Sequence, residues 1–163
     1  MSNLTSLGQS VGELLKTHKQ TIAVAESSAG GLISAALLAV SGASAYFLGG
    51  GVIYTHEARR SLLAMPDEAL EGVRASTEEY ARRLAHQVRV RFKTTWGLSE
   101  TGATGPTGNR YGDAAGHACI VLVGPVEETL TVETGSADRE ANMWTFTQTA
   151  LELLAKAIEK NVT

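Results

Sequence analysis

The chain has 163 residues, of which 44% are hydrophobic and 19% are charged. We expect one domain over residues 1–163, because this length buries a substantial core without a second domain. The net charge of -3 at pH 7 offers no general attraction to nucleic acid or to an acidic membrane surface.

The start of the chain and its apolar runs predict neither export nor a membrane span. No secretory signal is visible, and no apolar run approaches the roughly 20 residues that cross a bilayer. We therefore expect a cytoplasmic protein with no membrane or nucleic-acid partner. The single cysteine, Cys119, excludes an internal disulfide and a cysteine zinc cluster, so we interpret it as a small buried hydrophobic residue.

The first third of the chain predicts a helix, a buried strand and a second helix. Apolar residues recur at helical spacing over Leu4–His18 and Leu32–Val40, and Thr21–Ala25 is a short apolar run. Between the strand and the second helix stand a glutamate, two serines and two glycines. This composition is typical of a tight turn that ends a strand and begins a helix.

That turn is the first candidate site. Backbone N–H groups at the start of a helix point outward and can bind an anion or a developing oxyanion. Ser27 or Ser28 stands there either to cap the helix or to attack a substrate. The N–H groups around Ala29, Gly30 and Gly31 are candidate donors.

The remaining pattern alternates strands with helices. The spacing Ser-x-x-Glu at Ser76–Glu79 is typical of a capping box and predicts a helix over Thr77–Lys93. The other predicted elements are strands over Phe47–Thr55, Trp96–Thr101, His117–Val123 and Glu128–Glu133, and helices over His56–Leu63, Asp67–Leu70 and Glu140–Lys160.

These elements predict a three-layer α/β/α domain with a mixed sheet. Helices before and after the early strands indicate that both faces of the sheet are covered. The last two strands are joined through a short Gly124-Pro125 turn, so they run antiparallel. Several of the 17 glycines lie in clusters that suggest ligand-binding loops at one sheet edge, although tight connections alone would also explain them.

Four blocks of the chain resemble the C-terminal domain of CinA (competence/damage-inducible protein), which also exists as a stand-alone nicotinamide-nucleotide amidohydrolase. The family hallmark, close to Ala-Glu-Ser-Cys-Thr-Gly-Gly, is similar to Ala25–Gly31. The second block resembles Gly42–Gly50 with Tyr54–Arg59, the third Thr101–Pro106, and the fourth Ala137–Arg139. The blocks stand in the family's order along nearly the whole chain.

The resemblance implies hydrolysis of the carboxamide of nicotinamide mononucleotide to nicotinic acid mononucleotide and ammonia. It implies a serine nucleophile at Ser27 and a site with no metal and no cofactor. We expect a small-molecule nucleotide substrate and a homo-oligomer. The catalytic candidates are Ser27, Tyr54, Arg59 and Thr101, and the substrate-binding candidates are Ser28, Gly30, Gly31, Ser44, Gly102, Gly105 and Arg139.

Arg59 departs from the family pattern, which has at this position a lysine thought to activate the serine. An arginine keeps its proton and cannot act as a base. Either Tyr54, His56 or Glu26 takes the proton, or the chain binds a pyridine nucleotide without hydrolysing it, as a sensor or partner module. A purely structural oligomerisation domain is a third possibility.

We expect six of these residues to converge in one pocket. They are Ser27, Ser44, Tyr54, Arg59, Thr101 and Arg139.

Overall fold

The computed structural model describes residues 3–161, which form five helices, five strands and two short 3-10 turns. The helices are α1 (Leu4–Thr17), α2 (Leu32–Leu38), α3 (His56–Leu63), α4 (Glu78–Phe92) and α5 (Arg139–Lys160). The strands are β1 (Ile22–Glu26), β2 (Phe47–Val52), β3 (Trp96–Ala103), β4 (His117–Val123) and β5 (Glu127–Glu133), and the 3-10 turns are Ala43–Ala45 and Asp67–Leu70.

The strands form one mixed sheet in the order β2-β1-β3-β4-β5. β1 runs parallel to both β2 and β3, whereas β4 is antiparallel to β3 and to β5. The predicted antiparallel pairing of the last two strands is therefore confirmed. The carboxyl ends of the three parallel strands meet at one edge of the sheet, which is where ligands bind in folds of this kind.

Helices cover both faces of the sheet, which confirms the predicted α/β architecture. On one face, apolar residues of α1, α2 and α5 pack with Val24 and Leu98. On the other face, α4 packs with Ala23 and Ala25 of β1. Neighbouring residues of a strand point to opposite faces, so each strand contributes to both layers. Cys119 is 2% exposed in the second layer, as its apolar surroundings predicted.

Most predicted elements differ from the observed ones by one to three residues at an end, and at two of these ends a threonine caps the helix that follows. β2 ends at Val52, and the side chain of Thr55 accepts a hydrogen bond from the Ala58 amide to cap α3. The N-cap of α4 is Thr77 rather than Ser76 of the capping box. Ser76 has a φ of +60° and is buried. No helix within residues 3–161 has the length and hydropathy of a membrane span.

Candidate functional site

Glu26 holds the turn after β1 by capping α2. Its side chain is fully buried and accepts hydrogen bonds from the amides of Gly31 (2.8 Å), Ile33 (3.1 Å) and Ser34 (2.9 Å). The first amides of a helix lack partners within the helix, and a carboxylate at this end also complements the helix dipole. The glutamate therefore does the capping that the sequence suggested for a serine.

Glu100 of β3 is a second buried carboxylate at the same turn. Its Oε2 accepts hydrogen bonds from the amides of Ser27 (3.1 Å) and Ala29 (2.8 Å), and its Oε1 accepts a hydrogen bond from the Ser28 hydroxyl. Complete burial raises the pKa of Glu100 to about 7, because the charged form loses its hydration. The three hydrogen bonds oppose this rise, and the neighbouring charge of Glu26 adds to it.

These contacts occupy the N–H groups that the sequence offered as oxyanion donors. The Ala29 amide donates to Glu100, the Gly31 amide donates to Glu26, and the Gly30 amide donates to the Ser27 carbonyl oxygen at 3.0 Å. These three N–H groups therefore already have acceptors within the protein and are not available to an oxyanion. Within residues 3–161, the Ser28 amide is the one N–H of Ser27–Gly31 without a hydrogen-bond acceptor.

A cavity of about 240 Å³ opens beside this turn, and we call it the serine cavity. It brings together five of the residues that the sequence singled out, from four separate segments of the chain. Its lining consists of Ser28, Tyr54, Gly102, Ala103, Thr104, Gly105, Thr107, Gly108, Asn109 and Arg139.

Arg139 supplies the positive charge of the serine cavity. One guanidinium nitrogen donates to the Gly105 carbonyl oxygen at 2.6 Å, and the other donates to the Tyr54 hydroxyl at 3.2 Å. A guanidinium has five N–H donors, so three remain for a ligand. Asn142, one turn along α5, donates to the Thr104 carbonyl oxygen at 2.8 Å and so fixes this helix to the glycine loop.

Ser44 and Thr101 lie outside the serine cavity, contrary to the expected convergence. Ser44 precedes β2, and because β1 and β2 are parallel it lies at the opposite end of the sheet from the Ser28 turn. Thr101 follows Glu100 in β3, so its side chain points to the other face, where its hydroxyl oxygen accepts a hydrogen bond from the Ser76 amide at 3.2 Å.

Arg59 lines a second cavity of about 430 Å³, which we call the arginine cavity. Its Nε donates to the Met65 carbonyl oxygen at 3.3 Å, and its Nη2 donates to the Asp67 carboxylate. The side chain therefore joins α3 to the following 3-10 turn. The full lining is His56, Arg59, Asp67, Leu70, Gly72, Val73, Arg74, Ala75, Tyr80 and Tyr111.

Ser27, the predicted nucleophile, lines neither of these two cavities. The residue is half-buried, and its hydroxyl has no hydrogen-bond partner within residues 3–161. The structure therefore brings Tyr54, Arg139 and Ser28 together, and leaves Ser27 and Arg59 outside the serine cavity.

We expect Arg59→Lys to destabilise the fold by about 1–2 kcal/mol. Arg59 reaches the Met65 carbonyl and Asp67 with two different nitrogens, Nε and Nη2. The one ammonium nitrogen of a lysine cannot stand in both places, so we expect the loss of one of these bonds. Chemical denaturation would measure the change. Arg60→Lys is the matched control, because Arg60 contacts the same Asp67 at 2.8 Å from an exposed position. Equal losses in both variants would contradict this role of Arg59.

Sequence reasoning did not identify Glu100 as part of the site. One signal was available: a glutamate within the apolar strand Trp96–Thr101 is unusual unless its charge has partners. The parallel register pairs Ala25 with Ser99, so the residues that follow them, Glu26 and Glu100, lie side by side. Their closeness depends on the strand order, which the sequence did not reveal.

Comparison with known proteins agrees with the fold. The CinA C-terminal domain family model matches residues 4–158. A CinA-like protein of Trichormus variabilis is 36% identical over 96% of this chain, and one of Nostoc sp. is 41% identical over 77%. The chain covers 38% and 30% of those two proteins, so it spans about a third of their length.

Solved structures show the same architecture over nearly the full length of both chains. The competence damage-inducible protein A of Klebsiella pneumoniae superposes with a TM-score of 0.90 at 23% identity, covering 99% of this chain and 100% of that chain. The competence/damage inducible protein CihA of Agrobacterium tumefaciens has a TM-score of 0.86 at 26% identity, covering 98% and 99%.

Proposed function

Since the chain belongs to the CinA C-terminal domain family, we propose that it hydrolyses the carboxamide of nicotinamide mononucleotide. The products are nicotinic acid mononucleotide and ammonia, and the reaction serves the salvage of pyridine nucleotides. One observation carries the proposal: the serine cavity combines a serine hydroxyl, the Tyr54 hydroxyl and the Arg139 guanidinium at the carboxyl edge of the parallel strands.

Amide hydrolysis requires a nucleophile and a donor for the oxyanion of the tetrahedral intermediate. We assign the nucleophile to a serine of the Ser27–Ser28 turn. The Tyr54 hydroxyl and the Ser28 amide are the donors that we assign to the oxyanion, since neither donates a hydrogen bond within residues 3–161. The Tyr54 hydroxyl oxygen accepts a hydrogen bond from Arg139 at 3.2 Å, so its own proton stays available to a ligand.

Arg139 is assigned to the phosphate of the substrate. Its guanidinium is planar, permanently charged and suited to bidentate contact with phosphate. Gly102 and the loop that follows β3 form a wall of the cavity that the arginine contacts through the Gly105 carbonyl oxygen, and a Cβ at Gly102 would lie 2.3 Å from the His117 carbonyl oxygen. This wall therefore admits no side chain at Gly102 without displacing the backbone.

We expect Arg139→Ala to raise KM for nicotinamide mononucleotide roughly 10- to 100-fold and to change kcat little. The arginine binds the phosphate equally in the ground state and the transition state, so its loss weakens binding alone. Nicotinamide riboside, which lacks the phosphate, is the matched substrate: its KM should be nearly unchanged. A similar rise for both substrates would contradict the phosphate assignment.

A second candidate is a pyridine-nucleotide binding module with little or no activity. The observation that favours it is Arg59, which stands where the family has a lysine and is fixed by Met65 and Asp67. Ammonia release from the purified chain with nicotinamide mononucleotide decides between the two. Stoichiometric ammonia and nicotinic acid mononucleotide support the hydrolase; calorimetric binding without either product supports the binding module.

The quaternary structure and location stay predictions. The homo-oligomer expected from the sequence can be tested by light scattering of the purified chain. The cytoplasmic location can be tested by fractionating the source cells.

A further inference from the structure

We propose that His117 is a positioning residue of the serine cavity: its protonated ring holds the wall residue Asn109 in place, and loss of the ring proton weakens ligand binding. The inference rests on the proposed binding of nicotinamide mononucleotide in this cavity and adds a dependence on pH. His117 is the first residue of β4 and directly follows the loop between β3 and β4. It takes no part in the proposed chemistry.

Both ring nitrogens of His117 face oxygen atoms that accept hydrogen bonds. Nδ1 contacts the Glu133 carboxylate of β5, and Nε2 lies 2.9 Å from the Ser76 carbonyl oxygen. Neither a carboxylate nor a carbonyl oxygen has a proton to donate, so each contact needs an N–H group on the ring. Only the imidazolium form has both N–H groups. A neutral ring turns a lone pair toward one of the two oxygens and loses that contact.

The charged groups nearest to the His117 ring are carboxylates. Glu133 contacts it from β5, and the Asp113 Oδ2 atom of the preceding loop lies 3.8 Å from Nε2. The Cys119 thiol, 3.7 Å from Nε2, is neutral because burial raises its pKa. The other charged groups of this cluster are Glu78 of α4 and Arg74, the cation paired with Asp113.

These neighbours favour the charged ring. Burial lowers the pKa of His117, but the hydrogen bonds to Glu133 and to the Ser76 carbonyl, together with the charges of Asp113 and Glu133, raise it by more. The pKa therefore lies above its usual 6.5 in the folded protein. A raised pKa means that the contribution of the charged ring to stability is complete below pH 6.5 and is lost as the pH rises through the folded pKa.

Asp113 connects His117 with the wall of the serine cavity. Its Oδ2 accepts hydrogen bonds from the Asn109 side chain at 2.7 Å and from Arg74 at 2.8 Å. The Asn109 Oδ1 in turn accepts from the amides of Tyr111 and Asp113 at 3.0 and 3.1 Å. Residues 109–113 thus form one hydrogen-bonded turn, and Asn109 lines the serine cavity. A change of charge beside Asp113 therefore reaches the cavity wall.

His117 also fixes the backbone that carries Arg74, the second partner of Asp113. Ser76, whose carbonyl oxygen contacts Nε2, has a φ of +60°, in the left-handed region that residues with side chains seldom adopt. Such a conformation persists where surrounding contacts hold it, and the Thr101 hydroxyl holds the Ser76 amide at 3.2 Å. His117 thus acts on the Arg74–Asp113 pair from both sides, through the backbone at Ser76 and through its charge at Asp113.

NMR of the His117 ring tests the titration without any ligand. We expect an apparent pKa above 6.5 in the wild type, with the ring signals assigned from their absence in His117→Gln. Glu133→Gln removes the charged acceptor of Nδ1 and should lower this pKa. A wild-type value at or below 6.5 would overturn the proposal.

Calorimetric binding of nicotinamide mononucleotide tests the positioning role. His117→Gln keeps a neutral donor for the Ser76 carbonyl but carries no charge. Well below the apparent pKa, its Kd should exceed that of the wild type roughly 3- to 10-fold. Well above that pKa the two Kd values should agree, because the wild-type ring is then also neutral. The ratio cancels the titration of the substrate phosphate and of Glu100. A ratio that does not change with pH would show a merely structural role and overturn the proposal.

Two further variants sharpen this test. His86→Gln is the matched control: His86 is an exposed histidine of α4, 3.4 Å from Glu127 and outside the lining of the serine cavity, and its loss should leave Kd unchanged at both pH values. Asp113→Asn tests the route to the cavity, because adding His117→Gln to this variant should change Kd little. A full effect of His117→Gln in the Asp113→Asn background would overturn the coupling through Asp113.

Failure of this proposal and failure of the proposed function give different results. If nicotinamide mononucleotide binds with a Kd ratio independent of pH, the role of His117 is wrong and the proposed function stands. If it binds at neither pH, the proposed function is wrong, and hydrogen exchange of residues 105–116 tests His117 without ligand. Protection of that segment in the wild type, relative to His117→Gln, should fall as the pH rises through the apparent pKa. Unchanged relative protection would overturn the proposal.

Discussion

Glu26→Ala is expected to lower the free energy of unfolding by roughly 3 to 5 kcal/mol. Truncation leaves the amides of Gly31, Ile33 and Ser34 at the start of α2 without their acceptor. An unsatisfied buried donor costs about 1–3 kcal/mol, and water that enters the new space recovers part of the loss. The turn that carries Ser28 depends on this cap.

Chemical denaturation of the wild type and the variant measures the loss. Glu57→Ala is a suitable control, because Glu57 is an exposed glutamate in the first turn of α3, and it should change stability by less than about 1 kcal/mol. Glu26→Gln should lie between the two, since its single carboxamide oxygen satisfies only some of the donors. A Glu26→Ala protein as stable as the control would contradict the capping role.

Glu100→Gln is expected to remove a pH dependence of stability between about pH 4.5 and 7. The pKa of Glu100 is raised from 4.5 to about 7 in the folded protein, so in this range the folded state binds more protons than the unfolded state. The wild type therefore loses stability as the pH rises through this window. A shift of this size corresponds to roughly 3 kcal/mol, at about 1.4 kcal/mol for each pH unit.

Glutamine imitates the protonated carboxyl group at this position. Its carbonyl oxygen can accept from the amides of Ser27 and Ala29, and its NH₂ group can donate to the Ser28 hydroxyl. The variant should consequently be more stable than the wild type at pH 8 and similar to it at pH 5. Unfolding free energies at both pH values test this. Parallel curves for the two proteins would contradict a raised pKa of Glu100 in the folded protein.

The sequence predicted the elements of this fold well because their hydrophobic periods are regular. The range of α3 was predicted as observed, His56–Leu63, and so was β4, His117–Val123. The Gly124-Pro125 turn correctly indicated the antiparallel pair of β4 and β5. Observed boundaries differ from the predicted ones where a side chain caps an element, as Thr77 caps the start of α4.

The site was predicted less completely, because motif spacing does not show which way a side chain points. Thr101 stands beside Glu100 in β3, and their alternation sends the threonine to the opposite face. Ser44 is distant because β1 and β2 are parallel. Glu100 lies at the site because β3 pairs with β1, and these two strands are separated by about 70 residues in the sequence.

The central claim is that the serine cavity hydrolyses nicotinamide mononucleotide through a serine of the turn. Its most direct test is to follow ammonia and nicotinic acid mononucleotide together for the wild type and for the double variant Ser27→Ala/Ser28→Ala, with binding measured by calorimetry. We predict equimolar product release by the wild type, and binding without product release by the variant. A wild type that binds nicotinamide mononucleotide and leaves it unchanged would contradict the claim.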